Sequence, residues 1–207
     1  LQENPFPDPK QLEEIFHQAN KKICQLASAN PQYRGMGTTL TAAHIWQDRI
    51  LLGHVGDSRA YLYRAGELCQ LTDDHSLTGE LFRKGELTEV EVEHHPQRHV
   101  LTRALGTCQE IDVDTSSLRF GAGDVLLLCT DGLYGKITKE EMIEILQELD
   151  SPQRTAERLV AVALQAGGSD NITVIVIQNG ADELMDHEFS LELDEILEKF
   201  QAPVGVV

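Results

Sequence analysis

The apolar runs in this chain begin or end next to aspartates. Val125-Leu126-Leu127-Leu128-Cys129-Thr130 leads into Asp131-Gly132, and Leu51-Leu52-Gly53-His54-Val55 leads into Gly56-Asp57-Ser58. Gly167-Gly168-Ser169-Asp170-Asn171 opens onto Ile172-Thr173-Val174-Ile175-Val176-Ile177. A buried strand holds its end rigidly, and carboxylates fixed on rigid ends can share a hard divalent cation. A lone Asp at a strand end is more often a turn former. Here Asp57, Asp131 and Asp170 are each flanked by Gly, Ser, Thr or Asn, which leave room for water and substrate. Spacing alone thus points to a hard-metal site in a metal-dependent enzyme.

Other chemistries fit less well. Gly35-Met36-Gly37-Thr38-Thr39 resembles a phosphate loop, but no Gly-Lys-Ser/Thr follows and a strand comes next, so it reads as a tight turn. Cys129 lacks the Arg that a cysteine-dependent phosphatase needs about six residues on; position 135 is Gly, and a buried thiol is the better reading. Asp73-Asp74-His75 reads as a helix cap before Ser76-Leu77. His94, His95 and His99 bracket Pro96 and read as a polar surface loop, not as a zinc site.

The elements that must position the aspartates are legible from periodicity and punctuation. Asp8-Pro9 opens a helix carrying Leu12, Ile15, Phe16, Ala19, Ile23 and Leu26 at helical spacing, and Asn30-Pro31 ends it. Strands are expected over 38–46, 50–55, 59–63 and 68–71, joined by hairpin-like turns into one antiparallel meander. Two short helices follow, one with Leu77, Leu81 and Phe82 and one capped by Thr88-x-x-Glu91. Further strands are expected over 111–118, 124–130 and 171–177. Between them Thr138-x-x-Glu141 and Ser151-Pro152 start two helices. Grouped antiparallel strands and separate helices predict a layered α+β fold. Residues 1–180 read as one domain, and residues 181–207 as an acidic tail with an amphipathic stripe from Phe189 to Phe200.

The chain has 207 residues and a formal charge of −17, which disfavours nucleic acid and anionic membrane as partners. No apolar run approaches a membrane span, and the N-terminus has no signal-peptide pattern. Cys24, Cys69, Cys108 and Cys129 form no C-x-x-C pair, so a zinc site is not expected; Cys24 and Cys129 lie in apolar patterns and read as core residues, and the expectation is reduced thiols in a cytoplasmic protein. The chain begins at Leu1 without an initiator Met, which predicts a fragment of something longer.

Five motifs in order carry a resemblance: Gly35-Met36-Gly37-Thr38-Thr39-Leu40, His54-Val55-Gly56-Asp57-Ser58-Arg59-Ala60-Tyr61, Leu71-Thr72-Asp73-Asp74-His75-Ser76, Cys129-Thr130-Asp131-Gly132-Leu133 and Gly168-Ser169-Asp170-Asn171-Ile172-Thr173. The set resembles the bacterial branch of the metal-dependent serine/threonine protein phosphatases of type 2C, the PPM family. The resemblance implies a four-layer α-β-β-α sandwich of two antiparallel sheets. It implies phosphoserine or phosphothreonine hydrolysis by metal-activated water, with two Mn²⁺ or Mg²⁺ ions and a third, weaker one. Asp131 and Asp170 match ligands of the first metal, and Asp57 matches a ligand of the third. The stretch from Ser76 to Arg98 matches a flap beside the cleft. A phosphoprotein substrate and an opposing serine/threonine kinase are the implied partners.

Family members also carry, ahead of the first long helix, an Arg-bearing strand, an Asn-Glu-Asp motif and an Asp-Gly-x-Gly-Gly-His loop. This chain contains none of them. With the phosphate-binding Arg and the metal-bridging Asp outside the sequence, no catalytic side chain is assigned. The expectation is an incomplete second metal site and open sheet edges. The alternative reading is a catalytically impaired pseudophosphatase or interaction module.

Overall fold

The computed structural model describes residues 8–148 and 150–180; the acidic helix expected after residue 180 lies outside the described residues. Helix α1 (Pro9–Ala29) begins as its residues require. The Asp8 side chain accepts from the Lys10 amide, the Gln11 side chain accepts from the Asp8 amide, and Pro9 occupies the first helical position. The strands are β1 (Leu40–Trp46), β2 (Arg49–Val55), β3 (Arg59–Arg64), β4 (Glu67–Gln70), β5 (Asp114–Arg119), β6 (Val125–Cys129) and β7 (Val174–Gln178). The remaining helices are α2 (Leu77–Arg83), α3 (Glu89–His94), α4 (Asp131–Tyr134), α5 (Lys139–Gln147) and α6 (Pro152–Gln165). Thr88 and Thr138 form the expected capping boxes, and Ser151 caps α6.

Two antiparallel sheets form, in the orders β1-β2-β5 and β4-β3-β6-β7. Here the expectation of a single meander fails. The first four strands are split between the sheets, and the chain crosses from one to the other through Gly56-Asp57-Ser58. Both hairpins were readable from their turns. Hydrophobic alternation does not reveal that consecutive hairpins belong to different sheets, because both sheets need the same pattern.

Side-chain alternation then builds four layers. Ile50 and Leu52 of β2 meet Ala60, Leu62 and Leu126 of the other sheet, with Phe120, in the space between the sheets. Leu51 and Val55 point the other way, against Leu12 and Phe16 of α1. Leu127 and Cys129 face away from the first sheet, onto Met142, Ile145, Leu159 and Ala163 of α5 and α6. The run Val125–Cys129 is uniformly apolar because both its faces are covered. Each fully buried Leu contributes on the order of 1.5–3 kcal/mol. Gly53 is where α1 comes closest: a Cβ there would lie 2.7 Å from the Phe16 ring.

The segment matching the flap, with α2 and α3, leaves this body between the bridged residues Ser76 and Leu101. Among the described residues, no helix is long and apolar enough to cross a membrane. Among the described residues β1, β5, β4 and β7 are sheet edges, and Ile175 on β7 is 49% exposed.

Candidate metal centre

Strand pairing brings the three aspartates to one end of the second sheet. Arg59 pairs with Cys129 and Cys129 with Val174, so the residues before β3, after β6 and before β7 share that end. The loops carrying Asp131 and Asp170 are stitched together. The Thr130 amide donates to Thr173 O at 3.2 Å, the Thr173 amide to Thr130 Oγ1 at 3.1 Å, and Thr130 Oγ1 to Asn171 O at 3.3 Å. Gly132 permits this approach: a Cβ there would lie 2.2 Å from Asn171 O. Asp131 heads α4, and Asp170 Oδ1 accepts from the Asn171 amide at 2.7 Å.

Asp57 lies in the crossover between the sheets. Gly56, at φ +115°, turns the chain against Thr39, where a Cβ would meet Thr39 Cγ2 at 2.3 Å. Ser58 Oγ and Thr39 Oγ1 are 2.8 Å apart, and Thr41 Oγ1 donates to Ser58 O at 2.9 Å. From the other side the Tyr134 hydroxyl donates to Asp57 O at 3.0 Å. The short helix that begins with Asp131 therefore ends by gripping the Asp57 loop.

Burial, together with the negative charges of Asp131 and Asp74, pushes the Asp57 carboxyl up to about 6. A carboxylate crowded by like charges in this way is relieved by a nearby cation, and hard oxygen donors suit Mn²⁺ or Mg²⁺. The side chains present fit part of such a centre. Among the described residues, no group of three His, Cys, Asp or Glu side chains gathers closely enough to hold an ion.

Several neighbours take other roles than their types suggest. Arg59 looks like a phosphate holder, but its guanidinium is committed. Nε and Nη2 donate to Asp74 at 2.9 and 2.7 Å, Nη1 donates to Tyr61 Oη at 3.1 Å, and the group lies 3.6 Å from the Tyr134 ring centre. The Asp73-Asp74-His75 motif is not a helix cap, contrary to its sequence reading. Ser76 caps α2 by accepting from the Gly79 amide, Asp74 pairs with Arg59, and His75 faces Gly56. Cys129 is buried as expected, and burial pushes its thiol up to about 12, which keeps it protonated and poorly nucleophilic. His99, read as part of a surface loop, is exposed but places Nδ1 3.7 Å from Asp131 Oδ2. Nothing in the local sequence marks that proximity, which is created by the return of the chain from the flap-like segment.

A family profile described as Stage II sporulation protein E (SpoIIE) matches residues 7–179. The chain belongs to this family of PPM-type phosphatase domains. It is 40% identical over 167 residues to the serine/threonine phosphatase stp of Listeria innocua, covering 81% of this chain and 66% of that protein. The chain thus spans just under two thirds of the length of such relatives. The crystal structure of the serine/threonine phosphatase Stp1 from Staphylococcus aureus superposes with a TM-score of 0.80 at 30% identity, covering 84% of this chain and 70% of that one. The catalytic domain of the serine/threonine protein phosphatase PstP, crystallised with two manganese ions, superposes with a TM-score of 0.76 at 36% identity, covering 84% and 73%. These relationships bear out the family and the layered sandwich.

Proposed function

We propose that this chain forms most of a metal-dependent phosphoprotein phosphatase acting on phosphoserine and phosphothreonine. The observation that carries the reading is that the loops bearing Asp57, Asp131 and Asp170 share one end of the second sheet, in a chain of this family. Asp131 and Asp170 would hold the first Mn²⁺ or Mg²⁺ and Asp57 a third, weaker ion. The PstP domain with its two manganese ions supports that choice of metal. Bound there, the ions supply Lewis acidity and an activated water. The chain's own residues fix the carboxylates: Thr130 and Gly132 join the Asp131 and Asp170 loops, and Tyr134 ties Asp57 to α4. Arg59 acts as a strut, because Asp74 and Tyr61 occupy its donors. Cys129 takes no nucleophilic part, consistent with direct attack by water.

The substrate is a phosphoprotein and the opposing partner a serine/threonine kinase. A cytoplasmic location is favoured by four free cysteines among the described residues. The test joins this chain to an Asp-Gly-x-Gly-Gly-His segment and measures Mn²⁺-dependent hydrolysis of an aryl phosphate. Asp170→Ala should bring the rate down to background, and full activity in that variant would refute the assignment. A second reading is a catalytically impaired interaction module, favoured by the lack, among the described residues, of three His, Cys, Asp or Glu side chains close enough to hold an ion. Calorimetry with Mn²⁺ separates the two, because a catalytic domain binds at least one ion and a pure scaffold none.

A further inference from the structure

His75 is buried, with 1% of its surface exposed, and its ring bonds go to Gly56 and Asp114, not to the three aspartates. Its contacts converge on Gly56, the residue just ahead of Asp57. The His75 amide donates to Gly56 O at 2.7 Å, and the Gly56 amide donates to His75 Nδ1 at 3.1 Å. The residue therefore grips both polar groups of Gly56, one with its backbone and one with its ring. Since Nδ1 accepts, the ring proton of the neutral imidazole resides on Nε2. Nε2 donates to Asp114 Oδ2 at 3.0 Å, and Asp114 Oδ1 accepts from Arg103 Nη1 at 2.8 Å. Arg103 and Asp114 thus select the tautomer that leaves Nδ1 free to accept from Gly56.

The target of this relay is unusual backbone. Gly56 sits at φ +115°, pressed against Thr39, in a three-residue crossover with no strand partner of its own. The Gly56 N–H belongs to the Val55–Gly56 peptide; without an acceptor that plane is freer to turn about the flexible φ of Gly56, and a change in φ there redirects the chain entering Asp57, with the Gly56 carbonyl still tethered to the His75 amide. We infer that His75, oriented by Asp114 and Arg103, is a positioning residue that sets the direction of the Asp57 carboxylate. The role presupposes the assignment of Asp57 as a metal ligand made above.

The ring can be dissected with two substitutions that differ in which nitrogen they imitate. His75→Asn places an amide oxygen near Nδ1 and keeps an acceptor for Gly56. His75→Gln places its amide near Nε2, keeps the Asp114 contact and loses the acceptor. Titrating the 207-residue chain with Mn²⁺ alone by calorimetry, we expect His75→Gln to weaken the ion that Asp57 binds about tenfold, the scale of losing a group that orients a ligand. His75→Asn should stay within about twofold of the parent. Hydrogen exchange at the Gly56 amide, read by NMR without metal, should quicken in His75→Gln and not in His75→Asn.

Asp57→Asn is run in the same titration. If it abolishes one binding event while His75→Gln leaves the isotherm and the Gly56 exchange unchanged, the ligand assignment stands and the positioning role is overturned. If Asp57→Asn changes nothing, or the parent chain binds no Mn²⁺, the ligand assignment falls and takes the positioning role with it. Should His75→Gln fail to fold, Asp114→Ala replaces it: its side chain is 48% exposed, and removing it leaves the imidazole free to change tautomer. A loss of about threefold in Mn²⁺ affinity is then expected, and an unchanged affinity overturns the role.

Discussion

Asp131 and Asp170 are held in place differently from Asp57. The first two flank adjacent strands of one sheet. The ladder between β6 and β7 brings their loops together, and Thr130 and Gly132 complete the join from within the same stretch of chain. Asp57 lies where the chain leaves one sheet for the other, so no ladder runs through it. Its loop is held by His75 and Tyr134, which lie 19 and 77 residues from their partners in the loop. Strand pairing positions neighbouring strand ends as a by-product of building the sheet. A crossover must be positioned by side chains brought from elsewhere.

Substitutions can break this comparison at either corner. The largest effect should come from Asp74→Ala, on the Asp57 side, which strands the largely buried Arg59 guanidinium. Removing one member of such a pair costs about 3–5 kcal/mol, read as a lower urea midpoint, and replacing both members with apolar residues should recover much of it. Next comes Gly132→Ala, where the added Cβ would fall 2.2 Å from Asn171 O and force the Asp131 and Asp170 loops apart. A loss of about 2–3 kcal/mol is expected, with weaker Mn²⁺ binding measured alongside.

The pH dependence of stability sharpens the Asp57 side. Burial, with help from the His75 ring, lowers His54 to about 4 from 6.5; opposing it are the Asp73 carbonyl and the Asp74 and Asp114 charges. The folded state keeps His54 neutral in a range where the unfolded chain protonates it. Its contribution is therefore complete above about pH 6.5 and is lost as pH falls towards about 4. The slope should be at most about 1.4 kcal/mol per pH unit, and His54→Gln should flatten it in urea titrations at successive pH values. The smallest effect is Thr130→Val, which removes the hydroxyl joining Asn171 O and the Thr173 amide. It should cost about 1 kcal/mol, because the backbone bond from Thr130 to Thr173 O remains.

Local signals in the sequence were sufficient for much of this architecture. Asp8-Pro9, Thr88-x-x-Glu91, Thr138-x-x-Glu141 and Ser151-Pro152 start helices where expected, because capping is decided within four residues. The apolar runs become strands, and the aspartates beside them fall at one end of a sheet. The division of the first four strands between two sheets was not legible. Nor were the commitment of Arg59 to Asp74 and Tyr134, the approach of His99 to Asp131, or the grip of His75 on Gly56. Asp73-Asp74-His75 misled because acidic residues ahead of a helix usually cap it, and here Ser76 does so instead.

The sequence by itself thus determined most of the elements and the helix starts, and it marked which aspartates stand beside strand ends, because periodicity, caps and turn residues act over a few positions. Only the tertiary structure decided which strands share a sheet and which side chains bond to the backbone of the Asp57 loop. Those outcomes depend on contacts between residues far apart in the chain, such as Asp57 with Tyr134 and His75 with Asp114, and no local pattern encodes such partners.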